Sequence, residues 1–239
     1  MKNIKPILLS VLIIVLFISC SNEIIVVYDI SKERFQRELA THNAKYEEYL
    51  IIDSRSEQAY LAGHLPDALN YNIEHIKKNF SEIEDLKELP TYVYGKNLDE
   101  SFAVAKYLGQ HGYKKIFNCM GTDEAKYDFV MYHPVRLRHG FELAKKEEYQ
   151  LVDYRIKSSH DQYKVPNVIF LPYPNIDKLL NVIRYNHGYV VFSTSSLHAK
   201  ECAELLVHYG FHNVYYCVDN IVYYPEYFEY NERQLDTNK

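Results

Sequence analysis

The feature that most constrains this chain is that it repeats itself. Ile51-Ile52-Asp53-Ser54-Arg55 aligns with Leu151-Val152-Asp153-Tyr154-Arg155, and Gly63-His64-Leu65-Pro66-Asp67-Ala68 aligns with Tyr163-Lys164-Val165-Pro166-Asn167-Val168, both at a spacing of 100. From Gly95/Ser193 onward the spacing becomes 98 and holds through Leu108/Leu206, Gly112/Gly210 and Cys119/Cys217. Equivalences kept in one order over most of a chain mean two copies of one folding unit. The copies are expected at residues 20–130 and 131–239. Their boundary falls within residues 122–139, where no period is sustained and Pro134 interrupts any helix.

Each copy alternates short apolar runs with helical patterns, which predicts an α/β fold of two modules, each a central, mainly parallel sheet flanked by helices. In the first, Ser31 caps an amphipathic helix with Phe35 and Leu39 inward. Strands are expected at 49–52, 92–94 and 116–119, with a helix over 101–111. In the second, a helix over 141–148 leads to strands at 150–152 and 189–192, then a helix from about Leu197 to Gly210 and a strand at 214–217. Between strand and helix in each copy lies a short loop, at 95–100 and at 193–198.

The N-terminus reads differently. Lys2 and Lys5 precede an apolar run over residues 7–18, the length of a signal-peptide core and short for a bilayer span. Ser19-Cys20-Ser21-Asn22 follows and resembles a bacterial lipobox, which implies a lipoprotein signal peptide over residues 1–19 and lipid attachment at Cys20. The expected location is then the cell membrane or outer membrane, lipid-anchored and facing the periplasm or exterior. A net charge of −5 supplies no basic stripe for phosphates, so nucleic acid is excluded as a partner. Cys119, Cys202 and Cys217 remain after Cys20, an odd number and no disulfide framework. Twenty-four tyrosines and no tryptophan crowd toward the C-terminus. No histidine spacing suits a metal, since Gly210 separates His208 from His212; no metal or other cofactor is expected.

Three pieces together carry a family resemblance: the Asp-x-Arg at a strand end (Asp53/Arg55 and Asp153/Arg155), the Gly63-His64-Leu65-Pro66-Asp67-Ala68 turn, and an apolar strand entering a loop and helix that finish at Gly-Tyr or Gly-Phe. With these the chain resembles the rhodanese family, which implies two rhodanese-like modules. In that family the loop's amides and the helix N-terminus converge on a cysteine and lower its pKa, so that a thiolate takes up sulfane sulfur. The resemblance places Gly95 and Ser193 at that cysteine's position. Gly95 has no side chain, and a serine hydroxyl stays protonated without an adjacent base. Neither loop supplies the cysteine and arginine of the phosphatases that share this fold.

No catalytic residue is therefore assigned; Gly95 and Ser193 are degenerate nucleophile positions. Asp99 and Glu100 make the first loop unwelcoming to anions. The second, Ser193, Thr194, Ser195, Ser196, Leu197 and His198, holds no carboxylate and is the candidate anion-binding loop, although Ser195 or Ser196 could serve only as a helix cap. Asp53 and Arg55 read as a structural ion pair or as catalytic groups, and the three cysteines as small buried hydrophobes or relocated nucleophiles. The expected function is an inactive tandem rhodanese-like lipoprotein that binds or assembles a protein partner at the envelope. Two alternatives stay open, a sulfurtransferase with a relocated nucleophile and an anion or small-molecule sensor using the second loop.

Overall fold

The computed structural model describes residues 14–18, 24–45, 48–175, 183–184 and 186–229. The chain divides into two compact units, Met1–Phe129 and Val130–Lys239, each with its own sheet. The first contains β1 (Ile14–Ile18), β2 (Ile24–Ile30), α1 (Lys32–Lys45), β3 (Leu50–Asp53), α2 (Glu57–Leu61), β4 (Ala68–Asn70), α3 (Ile73–Asn79), β5 (Thr91–Tyr94), α4 (Leu98–Gln110) and β6 (Ile116–Cys119). The second contains β7 (Tyr132–Val135), α5 (Leu137–Leu143), β8 (Tyr149–Asp153), α6 (Lys157–Gln162), β9 (Val168–Phe170), β10 (Gly188–Phe192), α7 (Ser196–His208) and β11 (Val214–Cys217).

The strand orders are β1-β2-β6-β5-β3-β4 and β7-β11-β10-β8-β9. All ladders are parallel except that of β1, which runs antiparallel along β2. Without β1 the two orders correspond strand for strand, so the sequence repeat is a repeat of topology. Both faces of each sheet are covered, which is why the strands read as continuous apolar runs. In the first unit Leu50, Ile52 and Val93 pack with Val104 and Leu108 of α4, while Ile51, Tyr92 and Tyr94 pack with Phe35 of α1. In the second, Val152 and Val191 meet Cys202 and Leu206 of α7, while Val190 and Phe192 meet Leu137 and Phe141 of α5. The equivalent turn residues Asp67 and Asn167 both adopt positive φ, 64° and 57°, a conformation Asp and Asn tolerate better than most side chains.

Three expectations need correction. The boundary region is not structureless: β7 and the start of α5 lie in it, and Pro134 is accommodated because β7 is an edge strand, where a missing N–H donor is tolerated. α5 spans Leu137–Leu143 rather than 141–148: Leu137 and Phe141 are buried in the core and Leu143 packs partly against it, whereas the charged run 145–148 is exposed and has no apolar side chain to bury. α4 begins at Leu98, not Ser101, because the Asn97 side chain accepts a hydrogen bond from the Glu100 amide at 3.0 Å and caps the helix early. β1 lies within the apolar run read as the signal-peptide core; Lys2, Lys5, Ser19 and Cys20 lie outside the described residues. Among the described residues no helix is long and apolar enough to cross a membrane.

Candidate functional site

Both loops leave the C-terminal ends of central strands, β5 and β10, and each has three residues before its helix, 95–97 and 193–195, rather than six. In a parallel α/β sheet this end is where helix N-termini and loop amides collect, so it is the natural place for a site.

The first loop is filled from within. A Cβ built on Gly95 would lie 2.5 Å from Ser54 Oγ, 3.0 Å from Glu100 Oε2 and 3.1 Å from the Ser101 amide nitrogen. Ser54 Oγ is held there by donating to the Tyr94 carbonyl at 3.1 Å. Glu100 folds back from the first turn of α4 and accepts from the Lys96 amide at 2.5 Å. Its neighbour Asp99 is exposed. The like-charge argument made from sequence for both acids is thus sharpened to one: Glu100 lies within the loop itself.

The second loop solves the same problem with the opposite residue. Ser193 is buried, and its hydroxyl donates at 2.9 Å to the carbonyl of Tyr154, the residue equivalent to Ser54. The hydroxyl therefore turns back to the end of β8 and not toward the amides of 194–198. Ser195 occupies the cap position of α7 but makes no side-chain cap hydrogen bond, and Ser196, Leu197 and His198 are already helical. Thr194 is half-buried between them. His198 stacks on Tyr173 with ring centroids 3.9 Å apart. Leu197 is 61% exposed, and Val222 and Tyr223, just beyond Ile221 whose amide donates to the Ser193 carbonyl, are 42% and 79% exposed.

The Asp-x-Arg motifs form buried ion pairs. Arg55 grips both Asp53 oxygens, with Nη2 to Oδ2 at 2.6 Å, and also donates to the Gly63 carbonyl at 2.7 Å. Tyr94 donates to Asp53 Oδ2 at 2.5 Å. Arg155 holds Asp153 in the same way and donates to the Tyr163 carbonyl at 2.8 Å, with His160 taking the place of Tyr94 at 2.8 Å from Asp153 Oδ2. These pairs tie each strand end to its following turn. Their polar atoms are spent on protein partners, as a structural role requires. His64 is fully buried, stacks on Tyr60 at 4.0 Å and donates from Nδ1 to the Leu65 carbonyl; burial lowers its pKa to about 4. Cys119, Cys202 and Cys217 are free and buried, and desolvation raises all three thiol pKa values. Among the described residues no three or more His, Cys, Asp or Glu side chains are grouped to hold a metal.

Sequence reasoning missed Ser54. The signal was available as a reciprocal exchange: the copy with Gly at the loop position has Ser at the neighbouring strand end (Gly95, Ser54), and the copy with Ser at the loop has Tyr there (Ser193, Tyr154).

Residues 31–122, most of the first unit, match the rhodanese-like domain family. Solved structures similar to the chain include a protein from Staphylococcus saprophyticus, 23% identical over 43% of this chain and 97% of that one, with a TM-score of 0.35. Others are a 3-mercaptopyruvate sulfotransferase from Escherichia coli, 16% identical over 79% of this chain and 96% of that one with a TM-score of 0.31, and a thiosulfate sulfurtransferase from Pseudomonas aeruginosa, 14% identical over 80% and 38% with a TM-score of 0.32. A reduced CoADR-RHD from Bacillus anthracis is 16% identical with a TM-score of 0.37, and the chain spans 18% of its length. A search of curated protein sequences finds no match.

Proposed function

We propose that the chain is a tandem rhodanese-like protein that carries no sulfur-transfer activity and serves as a binding or assembly module at the cell envelope, held there by lipid on Cys20. The observation that carries this reading is the content of the two nucleophile positions: Ser54 and Glu100 crowd the side-chain space of Gly95, and the Ser193 hydroxyl is committed to the Tyr154 carbonyl. A sulfurtransferase needs an accessible thiolate there. The native thiols are poor replacements, since burial raises their pKa values. The exposed Leu197, Val222 and Tyr223 around the second loop support a protein partner, because apolar side chains gathered at one surface favour association. For an anion sensor the second loop offers amides and no carboxylate, but its buried hydroxyl is already engaged.

The test is sulfur transfer from thiosulfate to cyanide, run beside an iodoacetamide rate for each cysteine. The expected result is no turnover above a denatured control, and alkylation of Cys119, Cys202 and Cys217 only on unfolding. Turnover abolished by Cys202→Ser or Cys217→Ser would establish the relocated-nucleophile reading instead. Anchoring is tested separately: Cys20→Ser should release the protein or leave it unprocessed. Wild-type protein recovered in a soluble fraction with Cys20 unmodified would refute the lipid anchor.

A further inference from the structure

We propose that the second unit carries a docking groove for an amphipathic helix of a partner protein, at the place where the first unit is covered by its own α1. This rests on the reading above that the chain is a binding module. The two units are matched in register on both sides of that helix: Ile30 and Val135 lie opposite Cys119 and Cys217, and Ile51 and Leu151 lie opposite Tyr92 and Val190. Twenty residues, 31–50, join Ile30 to Ile51, whereas fifteen, 136–150, join Val135 to Leu151. The shortfall falls on the helix, which has 14 residues in α1 and 7 in α5. In the first unit Phe35 and Leu39 of α1 pack with Ile51, Leu65 and Ala68, and its last turn reaches Tyr49, whose hydroxyl donates to Asn43 at 3.0 Å. The counterparts Tyr149, Leu151, Val165 and Val168 instead line an open groove of about 630 Å³, walled by Ala144 just past α5 and by Phe228. Ile51 and Ala68 are 2% and 0% exposed, whereas Leu151 and Val168 are only half-buried and yet remain apolar, as a surface kept for association does. Five residues of helix, about 10 Å across with about 1.5 Å of rise each, fill about 600 Å³, so the groove has the volume of the missing stretch. Helices that dock in grooves place apolar anchors at i, i+4 and i+7, the spacing of Phe35, Leu39 and His42 in α1.

The probe is a synthetic peptide of α1, residues 32–45, held helical by a lactam between positions 37 and 41, which are exposed in α1, because an isolated helix of this length is marginal in water. It is titrated into the full chain and followed by the methyl resonances of Leu151, Val165 and Val168. Saturable shifts are expected at these methyls, with affinity at least about ten-fold tighter than for a control peptide carrying Phe35→Ser and Leu39→Ser. Val168→Glu in the full chain should weaken binding by at least as much, and Ala144→Arg, at the half-buried rim, serves if the first variant is unstable. If the three methyls do not shift, or if the control peptide binds as tightly, the proposal fails. Shifts of the same methyls on concentrating the chain alone would assign the groove to a second copy and overturn it as well. None of these outcomes alters the thiosulfate assay on the wild type, so the two readings fail separately.

Discussion

At the scale of single residues, the first unit's loop is decided by a pair. Gly95→Cys alone places its Cβ 2.5 Å from Ser54 Oγ, inside van der Waals contact, so the variant should lose about 1–3 kcal/mol by overpacking. Gly95→Cys combined with Ser54→Gly should recover most of that loss in urea unfolding. Equal stability of the single and double variants would show that Ser54 does not set the limit. His64 gives a pH signature. Its folded pKa of about 4 lies below the ordinary value of 6.5, so between those values the unfolded chain binds a proton that the folded chain does not. Stability conferred by neutral His64 is therefore complete above about pH 6.5 and is lost as pH falls toward 4, by about 3 kcal/mol in all. Denaturant unfolding at pH 7 and pH 4.5 should show a loss in wild type that is reduced in His64→Gln; identical pH slopes would exclude His64 as its source.

At the scale of elements, the two equivalent helices start by different means. α4 is capped by the Asn97 side chain, which accepts from the Glu100 amide, whereas Ser195 at the start of α7 makes no such bond. Asn97→Ala is thus expected to cost about 1 kcal/mol and Ser195→Ala only a few tenths, a contrast measurable by urea midpoints at constant m value. A loss from Ser195→Ala as large as that from Asn97→Ala would mean that its hydroxyl caps α7 in solution. The central strands β5 and β10 differ less, since both are buried along their whole length. Gly140 of α5 fits this layer closely, with its Cβ position 3.0 Å from Val190 Cγ1 and 3.1 Å from Cys217 Sγ, which explains a glycine within a helix.

At the scale of the whole molecule, two sheets of matching strand order divide the chain at Phe129. The connecting stretch before β7 carries exposed Lys126, Asp128 and Phe129 and no helix or multi-residue strand. Exposed, irregular backbone is where proteases cut first. Brief trypsin treatment should therefore cleave after Lys126 and leave two resistant fragments. Initial cleavage within either sheet would contradict two separately cored units.

The repeat, the α/β class, the central strands and the absence of a loop thiol were determined by sequence alone, because hydrophobic periodicity and residue identity are local and do not depend on what the chain later packs against. The edge strands β4 and β9 are three residues each, too short to stand out, and β7 contains a proline, so their strand character came only from pairing with neighbours. The same limit applies to the sites. Sequence places Ser54 41 positions before Gly95, and only the β3/β5 ladder, which sets Asp53 opposite Tyr94, brings its hydroxyl to the loop. Glu100 was legible as a negative charge near the loop. That it turns inward to the Lys96 amide depended on where Asn97 starts the helix, a choice made by cap geometry in three dimensions.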